Sequence, residues 1–204
     1  VNGQAVITYN AGIIAKLSTI TAVSEGLNNG TVNVETLAGP ATKLIVDSSQ
    51  LIVIADGVSS TTIVATITDV NGNRKYGTNT SLILRKTESN GATGVKLGEI
   101  VQVSSAVNAR DGQAQVLLRT GIRAGLVNIT VSTGSESDNL TSAGLDITLL
   151  CGPASKVVIA GDPALKANGV SISTITVKIT DSNDNIIIDR TDTIQLNVSS
   201  SGVF

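Results

Sequence analysis

Two short turns place oxygen-bearing side chains at alternate positions: Asp69-Val70-Asn71-Gly72-Asn73 and Asp181-Ser182-Asn183-Asp184-Asn185. Calcium loops build their coordination shell from such spacing, which makes Asp69, Asn71, Asn73, Asp181, Asn183 and Asp184 the candidate ligands, Asp184 most directly. Neither turn is followed by the glutamate that closes an EF-hand loop. Asn and Asp also serve plain turns, by tolerating left-handed backbone and bonding their own main chain, and we read the two segments first in that way. Five Asn-X-Ser/Thr sequons, at Asn29, Asn79, Asn128, Asn139 and Asn197, would accept glycans in a secreted chain, although a sequence this rich in Ser and Thr holds several by chance. Asn128 and Asn197 fall on the outward parity of their expected strands, and the other three in expected turns. Cys151, the only thiol, reads as a small buried residue at a junction, with an intermolecular disulfide as the alternative.

Other chemistry is limited by what the sequence lacks. Histidine is absent, which removes His-based acid/base catalysis and, with a single Cys, a Cys/His dyad or a zinc site within one chain. A carboxylate pair of the glycosidase kind is not ruled out by composition, but the acidic residues lie in turns and junctions, the pattern of a solvated surface. We therefore expect no enzyme and no cofactor. The net charge of −2 offers no basic patch and the aromatics are only Tyr9, Tyr76 and Phe204, so nucleic acid is not an expected partner. No apolar run approaches the roughly 18 residues of a membrane span. There is no signal peptide at the start, and a chain beginning at Val is expected to be processed or excerpted.

The elements that must position these residues are strands. Charged residues are 15% of the chain, and Val, Ile, Thr and Ser dominate it, a mixture suited to pleated sheets and polar turns. Ile63, Ala65 and Ile67 alternate with Thr62, Val64, Thr66 and Thr68, which gives one face to a core and the other to water. The same alternation runs through Ile175, Val177 and Ile179, through Ala114, Val116 and Leu118, through Ala5, Ile7 and Tyr9, and through Ile194, Leu196 and Val198. Asn71-Gly72, Asn90-Gly91 and Asp111-Gly112 mark turns at sandwich spacing. No long window reads as a helix.

The sequence also repeats itself. Gly39-Pro40-Ala41-Thr42-Lys43-Leu44 returns as Gly152-Pro153-Ala154-Ser155-Lys156-Val157, and Ala55-Asp56-Gly57-Val58-Ser59 as Ala167-Asn168-Gly169-Val170-Ser171. Near the start, Gly3-Gln4-Ala5 matches Gly112-Gln113-Ala114, and Gly12, Ala15, Leu17 and Ile20 match Gly121, Ala124, Leu126 and Ile129. The expected organisation is residues 1–38 as the C-terminal part of one repeat, 39–151 as a complete repeat, and 152–204 as the N-terminal part of another.

Two signatures resemble the bacterial immunoglobulin-like repeat of the invasin and intimin type. One is Ala55-Asp56-Gly57-Val58-Ser59 leading into residues 62–69 and Asn71-Gly72-Asn73. The other is Asp111-Gly112-Gln113-Ala114 followed by Gly121, Ala124-Gly125 and the strand from Val127 to Val131. The resemblance implies an all-β fold of tandem immunoglobulin-like β-sandwich domains strung end to end on a microbial surface. The polar loop at residues 88–98 is longer than that pattern leads one to expect, and no receptor-binding tip is visible.

The expected role is a structural repeat of an extracellular fibre, stalk or surface appendage, partnered by copies of itself or by adjacent repeats. An adhesin or carbohydrate-binding module engaging a receptor or glycan is the alternative. The two end fragments complement each other, which fits either a window on a longer chain or a filament subunit that assembles by strand exchange. Proline at Gly39-Pro40 and Gly152-Pro153 should stiffen the junctions.

Overall fold

The structure, a computed structural model, describes residues 3–77, 80, 82–97, 101–102, 112–133, 140 and 143–199, without the side chains of 96–97 and 101–102. Among the described residues it is all-β, with no helix. The chain divides into two compact units, Val1–Leu150 and Cys151–Phe204.

In the first unit, β1 (Lys16–Ala22) and β2 (Gly30–Thr36) form an antiparallel hairpin. Two further sheets follow. One takes β3 (Lys43–Ser48), β5 (Ser60–Thr68), β9 (Gln113–Arg119) and β7 (Lys96–Leu97) in the order β3-β5-β9-β7, with β8 (Val101–Gln102) also on β9. The other takes β4 (Ile52–Ile54), β11 (Ala143–Leu150), β10 (Gly125–Thr133) and β6 (Leu82–Ser89) in the order β4-β11-β10-β6. β3, β5, β9 and β7 thus face β11, β10 and β6, and the edge segment of residues 43–54 is split between both sheets as β3 and β4, with β4 running parallel to β11. This is the immunoglobulin-like β-sandwich.

The alternation in the sequence is what closes it. Ile63, Ala65, Ile67, Ala114, Val116 and Leu118 point inward from one sheet and meet Val53, Leu82, Val127, Ile129, Val131, Ile147 and Leu149 from the other. With aliphatic side chains only, the core gains its burial energy in small increments, at roughly 25 cal/mol per Å2 of apolar surface. Thr68, expected on the wet face, is buried. The chain switches sheets between β3 and β4 at residues 48–50, where the buried Thr61 hydroxyl accepts the Gln50 N–H at 3.0 Å and donates to the Gln50 carbonyl at 3.1 Å. Asn90 and Gly91 both take positive φ (53° and 97°), the requirement of a tight type I′ turn, and Ala92 N–H closes it on the Ser89 carbonyl at 3.0 Å. The stretch expected to be a long polar loop carries Ala92 and Val95 into the core, and Glu88 accepts the Val95 N–H at 2.7 Å. Gly98, at the end of that stretch, and Asp111 lie outside the described residues.

In the second unit, β12 (Lys156–Ala160) and β13 (Thr176–Thr180) pair antiparallel, Val157 opposite Ile179, as Leu44 stands opposite Ile67 between β3 and β5. Two expectations fail here. Ladder pairing begins at Thr176 rather than Thr174, and Ile194, Leu196 and Val198 belong to no strand. Residues 4–10, which share the alternation of β9, are likewise unpaired. A strand is held by its ladder to a neighbour, and among the described residues these segments have none.

Candidate functional site: a carboxylate clamp at the Gly-Pro junctions

The two Asp/Asn turns sit at the ends of β5 and β13, where each closes on itself. Asp69 N–H donates to the Asn73 carbonyl at 2.9 Å, and Asp181 N–H to the Asn185 carbonyl at 3.0 Å. The fourth turn residue takes positive φ in both, Gly72 at 83° and Asp184 at 64°, which satisfies a left-handed position once with glycine and once with Asp.

Each leading carboxylate collects N–H donors from three places. Asp69 Oδ1 accepts from the main chain of Asn71 and Asn73, both at 2.9 Å, and Oδ2 from the Asn73 side chain at 2.8 Å and from Gly39 at 2.9 Å. Asp181 repeats this with Asn183 at 2.8 Å, Asn185 main chain at 2.9 Å, Asn185 side chain at 2.8 Å and Gly152 at 2.8 Å. Both Asp residues are buried. Donation from the Asn73 side chain, then from Gly39, Asn73 and Asn71 main chain, outweighs burial and lowers the Asp69 carboxyl to about 2. At Asp181, burial works upward, and the donors from Asn185, Gly152 and Asn183 overcome it. A Lys reaches each turn as well, Lys43 Nζ to the Val70 carbonyl at 3.0 Å and Lys156 Nζ to the Ser182 carbonyl at 2.9 Å.

The first clamp extends to the hairpin β1–β2. Asn73 Oδ1 accepts the Ala15 N–H at 2.8 Å, and its Nδ2 donates to the Ile13 carbonyl at 2.8 Å. Lys75 Nζ adds a bond to the Ala38 carbonyl at 3.3 Å. Asn73 therefore ties the turn to the segment that leads into β1, while Asp69 ties the same turn to the Gly39-Pro40 entry.

The structure brings Asp69, Asn71 and Asn73 together, and likewise Asp181, Asn183 and Asn185, through amide donors facing the carboxylate oxygens. Asp184, the most direct calcium candidate, is instead exposed and paired with Lys156 at 2.8 Å. Among the described residues no group of three or more Cys, Asp and Glu side chains is gathered closely enough to hold a metal ion. A third carboxylate with the same habit is Asp56. Accepting from Ser59 main chain and hydroxyl, Val58 main chain and Thr120, it is lowered to about 2. Its counterpart Asn168 caps Val170 and Ser171 in the same way, at 3.1 and 2.8 Å.

Of the sequons, Asn29 is exposed in the loop between β1 and β2, and Asn197 is exposed but outside any strand. Asn128 faces outward on β10 and donates to Asp146 at 2.7 Å. Asn79 and Asn139 lie outside the described residues. Cys151 is half-buried and unbridged, more open than the buried position expected for it.

Sequence reasoning found the self-bonded turns and missed their reach to the Gly-Pro junction. The available signal was that Asp, Asn and Asn at the first, third and fifth positions persist in both copies while the second and fourth change.

No family model and no curated protein matches the sequence. Similar folds occur among solved structures. The Escherichia coli adhesin FdeC is 18% identical with a TM-score of 0.45, over 83% of this chain and 52% of its own. Invasin, a bacterial integrin-binding protein, is 20% identical with a TM-score of 0.45, over 87% and 34%. A glycosyl hydrolase family 2 member from Bacteroides cellulosilyticus is 18% identical with a TM-score of 0.45, over 66% and 17%. The chain thus spans 17% to 52% of the length of these proteins. Assignment of the immunoglobulin-like fold rests on the strand order and core described above.

Proposed function

We propose that this chain is a section of an extracellular structural protein, a stalk or fibre of tandem immunoglobulin-like domains on a microbial surface. The observation that carries the reading is the recurrence of one junction device. Asp69 with Gly39, and Asp181 with Gly152, fix the backbone ahead of a proline by the same bonds. A carboxylate devoted to main-chain and side-chain amides has no capacity left for catalysis, and its conformational role is to set how the chain enters a sandwich. Residues 1–38, 39–151 and 152–204 are in this reading the end of one domain, a whole domain and the start of another. Exposed sequons such as Asn29 and Asn197 are then available for glycans.

A receptor-binding role is the second reading. The surface it would use is the outward face of β3, β5 and β9, where Ile45, Thr62, Val64, Thr66 and Gln113 line a shallow depression. An antibody raised against the chain tests the primary reading. Intact cells of the encoding organism should be labelled, whereas labelling that requires permeabilised cells overturns a surface location.

A further inference from the structure

The edges of the sandwich are unequal. β7 is two residues long and β4 three, and the chain leaves β3 for the other sheet at residues 48–50. β6 is the long edge: its eight residues are laddered to β10, and among the described residues no strand is laddered to its other side. An edge of that length offers main-chain N–H and C=O groups to any strand that comes alongside, and proteins shorten, bend or charge such edges to prevent it.

The charges on β6 stand where the core pattern calls for apolar residues. Residues directly opposite each other on antiparallel strands share a face. Leu84, Lys86 and Glu88 are opposite Val131, Ile129 and Val127, all three 0% exposed in the core. Leu84 packs against the core as its position requires, and the next two positions of the same face are charged.

The two charges are held together. Lys86 Nζ meets Glu88 Oε1 at 2.8 Å, and the same oxygen accepts the Val95 N–H at 2.7 Å from the segment leading to β7. Their side chains stay 31% and 23% exposed, so the ion pair sits at the rim of the sandwich and keeps its contact with water. Long side chains allow this, since their stems cover apolar surface while their charged ends reach solvent.

We propose that Lys86 and Glu88 guard the free edge of β6 against pairing with the β6 edge of a second copy. That pairing would be isologous, the two β6 strands running antiparallel and each sheet continuing into the other. The incoming strand would lie beside the Lys86 stem and close the path by which Nζ and Oε1 reach water. The ion pair would then be buried with no added partner, which sets the desolvation of two charges against the gain of the new ladder. Without the charges, the face that begins with Leu82 and Leu84 would continue unbroken along β6, and an added strand would cover it at no such cost. Every residue involved lies within the complete sandwich of residues 39–151.

The test uses the 204-residue chain in a Cys151→Ser background. Lys86→Val combined with Glu88→Gln removes both charges and keeps an oxygen for the Val95 N–H. Sedimentation velocity over a roughly hundredfold range of concentration should show this variant associating at a concentration about tenfold or more below the parent. Hydrogen exchange should show the amides of β6 gaining protection as it associates, while those of β10 remain protected throughout. Lys86→Met, which leaves Glu88 and its bond to Val95 in place, should shift association in the same direction and serves if the double variant unfolds. Arg85→Val, on the opposite face of the same strand, should associate like the parent. Unchanged association of folded Lys86→Met, an equal shift from Arg85→Val, or new protection that falls outside β6 overturns the proposal.

Discussion

The Asp69 carboxylate accepts both the main-chain N–H of Asn73, at 2.9 Å, and its side-chain N–H, at 2.8 Å, and Asp181 and Asn185 reproduce the pair at the same two distances. This leaves the Asn73 Oδ1 atom free to take the Ala15 N–H. The asparagine is thereby oriented from one side and used on the other.

Replacing it, Asn73→Ala, removes the bonds to Ala15, Ile13 and Asp69 together. The expected cost is about 1–3 kcal/mol in urea unfolding. Hydrogen exchange gives the more specific readout, because the Ala15 amide should exchange roughly tenfold faster while amides of β10 keep their protection.

Acid should act through the same carboxylates. Asp69 and Asp56 are each lowered from 3.8 to about 2, so the unfolded chain binds more protons between those values and stability rises with pH across them. The contribution is complete above about pH 4 and disappears as pH falls towards about 2. Thermal melting followed from neutral pH downward should show that decline, and Asp69→Asn should make it shallower.

The repeated sequence allows one substitution to be made in two environments. Ile63→Ala opens a fully enclosed site and should cost about 2–5 kcal/mol. Ile175→Ala, at the matching position on an open face, should change the stability of the monomer by no more than about 0.5 kcal/mol. Chemical denaturation of the two variants at low protein concentration provides the comparison.

Gly121 and Gly12 form a second such pair. A Cβ at Gly121 would fall 1.8 Å from the Thr93 carbonyl oxygen, whereas at Gly12 nothing lies within 4 Å. Gly121→Ala should therefore lose about 3 kcal/mol by forcing β10's entry away from residue 93, and Gly12→Ala should melt like the parent.

Much of the fold can be read from β5, β9 and β10, whose alternating side chains are buried on one side as their pattern requires. The same pattern in residues 4–10 and 194–198 does not produce a strand, since alternation encodes a face and says nothing about whether a partner is present to cover it. Residues 88–98 show the opposite error. Their average polarity conceals Ala92 and Val95, two small apolar residues that the tight turn at Asn90-Gly91 delivers to the interior. At the candidate site the turn chemistry of Asp69 and Asp181 was legible because it is local. The bond to Gly39, 30 residues away, depends on where β3 and β5 bring the chain back, which no spacing within the turn reveals.

The parallel pairing of β4 with β11 has a mechanical consequence. One of these strands lies near the entry of the sandwich and the other is its exit, with Val53 beside Leu149. Tension applied at the two ends would draw them past each other along their common axis, loading the rungs at residues 52–54 simultaneously in shear rather than peeling them apart in succession.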